Sequence, residues 1–285
     1  MFSLNKIENL AISGAGVKIV AQIGAVEVLE EKGILSQIKR VAGTSAGAII
    51  ASLVAVGYTA KELKELCFSL DFERFEDGKI AEKLNLFNDY GLYKGDAFLD
   101  FIREKIELKT GSKYTTFAGL YAQGMKDLSV VACRLNDCSA VVFNYENTPH
   151  IAVADAVRFS MSIPIEFEPH KIHNDISTYV DVGVVLNYPL NLFPTENTIG
   201  ICFNPNEKAD YVNLKRGQFP LYLKLMIQSF MASQDKALTM QLEDLQRSIM
   251  LDSCGVSATK FNLTEKDKMN LYESGKSIAN YFIIN

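Results

Sequence analysis

Residues 38–56, IKRVAGTSAGAIIASLVAV, contain the pattern from which the fold can be predicted. Residues 38–42 predict a strand, and a turn rich in small residues at 43–47 separates it from an apolar helix at about 46–56. The uncharged run extends over residues 41–60, which is close to the length of a bilayer span. Its glycines leave only 46–56 as an uninterrupted helix, so we expect a buried core helix and no transmembrane segment.

The same order of strand and helix occurs on both sides of this segment. Residues 7–13, IENLAIS, predict a short buried strand, and the spacing of apolar residues over 19–31 predicts a helix. Thr59 and Glu62 form a capping-box pattern that opens another helix at about 60–68. Strands that alternate with helices indicate an α/β protein with a parallel sheet.

The rest of the chain predicts elements of both kinds. Residues 70–93 are mixed, aromatic and charged, and we interpret them as a surface excursion or lid. With no repeat or long linker, we expect one domain over residues 1–285, with a motif-bearing core at about 7–205 and a helical part at about 215–285. Further helices are expected at about 95–107, 151–160, 219–250 and 265–282, and further strands at 128–134, 139–143, 178–182 and 198–203.

The composition excludes several classes of protein. With 48% hydrophobic and 22% charged residues the chain can form a core, which excludes a disordered protein. The net charge of −5 argues against a nucleic-acid partner and against binding to acidic lipid by charge alone. The five cysteines form no C-x-x-C pair, which argues against a zinc cluster and a disulfide framework and favours a reducing, cytoplasmic compartment.

Two small-residue turns could carry chemistry. Gly43-Thr44-Ser45-Ala46-Gly47 is a G-x-S-x-G between a predicted strand and a predicted helix, as in a nucleophile elbow with Ser45 as the nucleophile. Gly14-Ala15-Gly16-Val17-Lys18 follows the first strand. A dinucleotide fingerprint would need a third glycine where Ile19 stands, whereas a loop of exposed N–H groups would suit an oxyanion hole.

The sequence offers two alternatives for the base that would activate Ser45. Asp155 followed by His170 or His173 would complete a triad in the order serine, acid, histidine, although HKIH at 170–173 is expected to be an exposed loop. Asp181 ends the apolar strand STYVDVG, and α/β enzymes keep catalytic groups at the carboxyl ends of strands.

Four motifs together resemble the patatin-like phospholipases, which are serine acyl hydrolases with a Ser–Asp dyad. SGAGVK at 13–18 is similar to the family's oxyanion loop, and GTSAG at 43–47 is similar to its nucleophile elbow. SMSIPIEFEP at 160–169 resembles a Pro-x-x-Phe-x-Pro segment, and DVGVVLNYP at 181–189 resembles Asp-Gly-Gly…Asn-x-Pro. The resemblance implies a three-layer fold, with a mainly parallel central sheet and helices on both faces.

The resemblance also implies a mechanism and a role for each site residue. Ser45 is the nucleophile and Asp181 is its base, with no histidine between them and no metal or cofactor. Gly43 and Gly47 shape the elbow, and Lys18 is a possible contact of a lipid phosphate or a neighbouring carboxylate. The backbone N–H groups that would hold the oxyanion are those of Gly14, Ala15, Gly16 and Val17.

Three positions depart from the family pattern, and they concern loop geometry. Ala15, Ile19 and Val182 stand where glycine is common. Because a β-branched residue does not readily adopt a positive φ, Val182 is expected in extended backbone.

The implied substrate is a phospholipid or another acyl-ester lipid at a membrane surface, cleaved by a phospholipase A or lysophospholipase type of reaction. A cytoplasmic, peripherally membrane-associated protein is expected, with apolar docking or a protein activator in place of bulk charge. Delivery into a host cell, as for bacterial effectors of the family, is compatible with the sequence. The aromatic residues of 68–101 are either a lid and docking surface or core, and core is favoured.

Two alternative functions stay open. A catalytically impaired acyl-lipid-binding or regulatory protein on the same fold is suggested by Ile19 and Val182. A nucleotide-binding α/β domain would use the turn at Gly14 and Gly16, and the missing third glycine argues against it.

Overall fold

The computed structural model describes residues 6–78, 89–172, 175–184, 186–205, 212–238 and 242–284. Within these ranges a seven-stranded sheet runs in the order β5-β4-β2-β1-β8-β9, and β7 pairs with β4 as well. The pairs along β4-β2-β1-β8-β9 are parallel, and β5 and β7 are antiparallel to β4. A second, parallel sheet joins β3 to β6. The strands are β1 Asn9–Ile12, β2 Arg40–Thr44, β3 Gly91–Tyr93, β4 Asp127–Arg134, β5 Ser139–Phe143, β6 Ile165–Phe167, β7 Tyr179–Asp181, β8 Thr198–Phe203 and β9 Ser248–Leu251.

Helices cover the sheet unevenly. The main core joins the helices of the first 160 residues and α10 to one face of the sheet, through side chains such as Leu10, Ile12 and Val41. Two smaller clusters lie apart from it, one at Ala11 and one at Val131. The predicted α/β fold with a mainly parallel sheet is thereby confirmed. The helices are α1 Ile19–Glu31, α2 Ile34–Gln37, α3 Ala46–Ala55, α4 Ala60–Ser69, α5 Asp96–Thr110, α6 Phe117–Ala122, α7 Val153–Ser160, α8 Phe219–Leu238, α9 Leu242–Gln246 and α10 Glu265–Ile284.

The expectation of one helix over 219–250 is wrong. The described chain has α8 to Leu238, α9 from Leu242, and then a strand, β9, over Ser248–Leu251. β9 pairs in parallel with β8, and Ile249 is fully buried. A short apolar run fits a helix or a buried strand equally well, and here the open edge of β8 decides in favour of the strand.

The aromatic segment at 68–101 contributes to the core, as favoured. Phe72, Phe75, Phe98 and Phe101 are all buried, and Phe75 makes edge-on contacts with Phe98 and Phe101. Phe87 lies outside the described residues. Part of the predicted surface excursion is therefore packed into the hydrophobic core, although Tyr90 is exposed.

The last helix packs on the first at two glycines. A Cβ on Gly24 of α1 would lie 2.2 Å from the Tyr272 carbonyl oxygen, and a Cβ on Gly275 of α10 would lie 2.0 Å from the Ala21 carbonyl oxygen. Real Cβ atoms essentially never approach that closely. At the same contact, the Tyr272 hydroxyl donates a hydrogen bond to Glu27. No helix within the described ranges is both long enough and apolar enough to cross a bilayer.

We predict that Gly275→Ala lowers the free energy of unfolding by about 1–3 kcal/mol, because the added methyl group forces α10 away from α1. At an unobstructed helix position the same change would stabilise by roughly 0.5–1 kcal/mol, so the sign of the effect reports the contact. Chemical denaturation measures the change, and Ser277→Ala, at an exposed position of α10, is the matched control. A stabilised Gly275→Ala variant would contradict the contact.

Candidate active site

One strand, β4, brings the two predicted catalytic residues together. The first part of β4 pairs with β2, up to Thr44 opposite Val131. The next residue of β4, Ala132, pairs with Asp181 at the end of β7. Because β5 occupies the other edge of β4 over the same stretch, β7 continues the line of β2 along one side of β4. Ser45 directly follows Thr44, so the register places it beside Asp181.

The turn at Ser45 has the geometry of a strained elbow. Ser45 has φ +51° and ψ −130°, a backbone conformation that few residues other than glycine adopt. A Cβ on Gly43 would lie 2.4 Å from the Gly47 carbonyl oxygen, and one on Gly47 would lie 2.4 Å from that of Ser13. The elbow therefore requires glycine at both positions. α3 begins at Ala46, so its positive end lies at the serine.

Ser160 at the end of α7 holds the elbow in place. Its hydroxyl accepts a hydrogen bond of 2.7 Å from the Ser45 N–H and donates one of 2.6 Å to the Val131 carbonyl. The Ser162 carbonyl accepts a 2.9 Å hydrogen bond from the Asp181 N–H. The two serines of the motif at 160–169 thus position Ser45 on one side and Asp181 on the other.

The Asp181 carboxyl is buried with few partners. Its Oδ1 accepts a 2.8 Å hydrogen bond from the Gly183 N–H, and its Oδ2 has no hydrogen-bond partner in the described part of the chain. Burial raises the pKa of Asp181 to about 6, against the opposing effects of the Ser45 hydroxyl and the Gly183 N–H. The Ser45 hydroxyl is thus near enough to lower this pKa, but it faces the Met161 sulfur at 3.8 Å and forms no hydrogen bond with Asp181 Oδ2.

Val182 does not adopt the extended backbone that was expected. It begins a 3₁₀ turn over Val182–Val184, and it is not among the described residues with a positive φ. Its side chain is fully buried in the small cluster with Val131. A residue without positive φ can carry a β-branched side chain here, so this departure from glycine fits the turn that follows Asp181.

The loop at 14–18 lies against Ser45. A Cβ on Gly14 would lie 3.1 Å from the Ser45 Cβ and 2.2 Å from the Asn187 side-chain oxygen, so a side chain there would require Asn187 to move. The Gly14 N–H donates to the Asn187 carbonyl at 3.0 Å, and the Val17 N–H donates to the Ala258 carbonyl at 2.9 Å. The N–H groups of Ala15 and Gly16, between these anchors, make no hydrogen bond to the described residues.

The roles considered for Lys18 and for the histidines have different outcomes. The Lys18 ammonium lies 4.0 Å from the centre of the Phe203 ring, and its contact with a lipid phosphate stays a prediction. His170 is not in the exposed loop that was expected, because it is half-buried and lies 3.2 Å from the Asp155 carboxylate. His173 lies outside the described residues. No hydrogen bond links the Asp155–His170 pair to Ser45 in the part of the chain described.

An apolar pocket opens next to the elbow. It extends from Gly16 and Ala46 to Met161, and its atom-free space, including the opening, is about 750 Å³. Almost all of its lining is apolar, which suits a hydrocarbon chain. No group of three or more metal-ligating side chains lies together among the described residues. Further walls of the pocket come from Ile49, Ile50, Leu53, Leu63, Leu66, Phe72, Phe75, Phe98, Phe101 and Phe261.

Residues 10–194 match the family model described as Patatin-like phospholipase. The chain belongs to this family. Among curated relatives of this patatin-like chain, the uncharacterized protein YqhO of Bacillus subtilis (strain 168) is 35% identical, over 95% of this chain and 96% of YqhO. The probable lipid hydrolase 463L of Invertebrate iridescent virus 6 is 27% identical, over 65% of this chain and 62% of that protein.

A solved structure shows the patatin fold for nearly the whole chain. VipD from Legionella pneumophila superposes with a TM-score of 0.72, covering 98% of this chain and 67% of VipD. The sequence identity is 14%, so this likeness concerns the fold alone.

Arg158 is a residue whose role sequence reasoning missed. Its buried guanidinium donates to the carbonyl oxygens of Lys94, Gly95 and Glu168 and to the Ser162 hydroxyl. It thereby links α7 to β3 and to the chain after β6, beside the segment that positions Asp181. The available signal was the single basic residue of VADAVRFS, which stands between the apolar residues Val157 and Phe159.

We predict that Asp181→Asn is more stable than the native chain at neutral pH, and that the advantage disappears in acid. A carboxyl whose pKa rises from 3.8 to about 6 on folding loses stability as the pH increases between those values. The gain at pH 7 should be roughly 2–3 kcal/mol, measured by denaturation at pH 4 and pH 7. The same gain at both pH values would contradict the assignment.

Asp137→Asn is the control of opposite sign for this experiment. Arg134 holds the pKa of the exposed Asp137 carboxyl well below its ordinary value. Removing that carboxylate should therefore lower stability at neutral pH relative to acid.

Proposed function

We propose that this patatin-like protein is a serine lipid acyl hydrolase of the phospholipase A or lysophospholipase type, with a Ser45–Asp181 dyad. The observation that carries the proposal is the register of β4, which sets the strained Ser45 beside the buried Asp181. The apolar pocket next to Ala46 supports a fatty-acyl substrate. The family membership and the viral relative named a lipid hydrolase support the reaction class.

The first half of the reaction forms an acyl-enzyme. The Ser45 oxygen attacks the ester carbonyl carbon while Asp181 takes the hydroxyl proton. The negative charge on the former carbonyl oxygen is held by the N–H groups of Ala15 and Gly16, with the positive end of α3 adding to the field. The intermediate then expels the lipid alcohol, which takes the proton from Asp181.

The second half reverses these proton transfers. Water attacks the ester carbon of the acyl-enzyme, Asp181 accepts a proton from it, and collapse of the intermediate releases the fatty acid. The proton returns to Ser45, so no cofactor is consumed. Of the four N–H groups assigned to the oxyanion hole by resemblance, we retain the central two, because Gly14 and Val17 donate to carbonyl oxygens in this structure.

The cellular setting is part of the same proposal. None of the five cysteines, all of which lie within the described ranges, forms a disulfide, which supports a reducing, cytoplasmic compartment. We propose action at a membrane surface, where the lipid substrate lies. Whether a protein activator is needed is decided by assay of the purified chain alone, and delivery into a host cell stays a prediction from the family.

We predict that Ser45→Ala lowers phospholipid hydrolysis by at least about 10³-fold, because the nucleophile is lost. A fluorophosphonate probe should label the native chain at Ser45, as shown by peptide mass spectrometry. Ser36→Ala, which changes an exposed serine in α2, is the control. Full labelling and turnover in Ser45→Ala would refute the hydrolase. Intact folding without labelling or turnover in the native chain would favour the acyl-lipid-binding alternative.

The proposed role of Asp181 as the base predicts how kcat/KM depends on pH. If Asp181 accepts the serine proton, kcat/KM should fall about tenfold per pH unit below pH 6 and be level above it. A soluble short-chain ester is the appropriate substrate, since its hydrolysis does not require a lipid surface. A profile without an inflection near pH 6 would rule out Asp181 as the base.

A further inference from the structure

The helix α8 exposes apolar side chains along one face. Phe219, Tyr222, Met226 and Phe230 follow one another at intervals of three, four and four residues, and each is between 38% and 56% exposed. At 100° per residue these four side chains lie within one narrow arc of the helix. A continuous apolar stripe of this kind is unusual on a soluble monomer and marks a contact surface.

The opposite side of α8 is fixed next to the proposed active site. Lys224 forms an ion pair with the buried Glu166 of β6. The helix also contacts the Val182–Val184 turn, which directly follows Asp181. The exposed stripe is therefore held at a set position beside the aspartate.

A groove extends the stripe toward β7. Exposed Tyr90 and Leu135 line it together with Phe219, and its floor includes Ile165 and Val180. Val180 immediately precedes Asp181. The apolar surface is thus continuous from α8 to the strand that carries the proposed base. We name Tyr90, Leu135, Phe219, Tyr222, Met226 and Phe230 the α8 surface.

Charge identifies the partner of this surface. Residues 212–234 contain no aspartate or glutamate, in a chain whose net charge is −5. Of their three basic residues, Lys224 is paired with Glu166 on the other side of α8, whereas Lys215 and Arg216 are exposed just before the helix. An apolar helix face with basic residues nearby and no acidic ones is the pattern of helices that lie in the interface of an anionic bilayer.

We propose that the α8 surface docks this protein on an anionic lipid bilayer, with Tyr222, Met226 and Phe230 inserted among the headgroups. This proposal rests on the proposed function for its choice of a lipid surface over a second copy of the chain. Insertion of apolar side chains would bring the protein to its lipid substrate, whereas its net charge of −5 would not attract it to an anionic bilayer. The proposal also assigns docking to α8 and not to Phe72, Phe75, Phe98 and Phe101, which are buried, so that Tyr90 alone represents the segment 68–101 in this surface.

The absence of tryptophan from the chain allows a direct test of insertion. Phe230→Trp, made in a Ser45→Ala background that leaves the vesicles intact, supplies a single fluorophore on the α8 surface. With vesicles of phosphatidylcholine and phosphatidylglycerol, its emission should shift to the blue and be quenched by lipid brominated in the acyl chains. Tyr121→Trp in the same background is the control, because Tyr121 is 56% exposed, like Phe230, but lies on α6.

Loss of binding provides a second test. Replacing Tyr222, Met226 and Phe230 by serine in the Ser45→Ala background should reduce cosedimentation with these vesicles by at least about tenfold. Replacing Tyr114 and Tyr121 by serine should leave binding unchanged. Circular dichroism and thermal unfolding establish that both variants are folded.

The outcomes separate this proposal from the proposed function. Bilayer insertion of the tryptophan in the Phe230→Trp variant, or loss of binding in the triple variant, supports docking even if the native chain hydrolyses no lipid. Ser45-dependent hydrolysis by the native chain, with no shift of the Phe230→Trp emission on vesicles, overturns docking and leaves the hydrolase standing. A dimer in sedimentation that the triple variant dissociates, without any vesicle binding, assigns the surface to a second copy and also overturns the proposal.

Discussion

The pairing of β4 with two strands on one edge is the constraint on which the site depends. The carboxyl ends of β2 and β7 meet on this edge, so two segments that are far apart in sequence lie end to end along β4. Each is fixed by main-chain hydrogen bonds, which tolerate little sliding because a shift of one residue would turn every side chain to the other face. The relative position of Ser45 and Asp181 is therefore a property of the sheet register.

In the proposed mechanism, this arrangement would also let an aspartate act as the base without a histidine. In water a carboxylate is a weak base for a hydroxyl, but burial makes the charged form of Asp181 less stable and so more ready to accept a proton. One carboxylate oxygen accepts a hydrogen bond from the Gly183 N–H, and the main chain of Asp181 is held by the Ser162 carbonyl. Ser160 and Ser162 provide the matching supports, one at the elbow and one at the aspartate.

The sequence predicted the parts of this site that are local. Gly43 and Gly47 signal an elbow because the steric requirement acts within five residues, and Asp181 was found because it ends a recognisable strand. The role of Ser160 and the burial of Arg158 depend on partners that only the folded sheet brings near. The same holds for β9, since Ser248–Leu251 becomes a strand because β8 offers an unpaired edge. For Ser160, Arg158 and β9 alike, contacts between segments distant in the sequence determined the structure, and local secondary-structure propensity did not.

The contact between Val17 and Ala258 links the order of synthesis to activity. Ala258, whose carbonyl fixes the loop at 14–18, lies more than two hundred residues after Ser45 in the sequence. A nascent chain therefore carries Ser45 and Asp181 before the segment that anchors this loop has emerged from the ribosome. If the site cleaves lipid as proposed, its geometry is complete only after translation has passed this segment, and membranes near the ribosome would be protected from an unfinished enzyme.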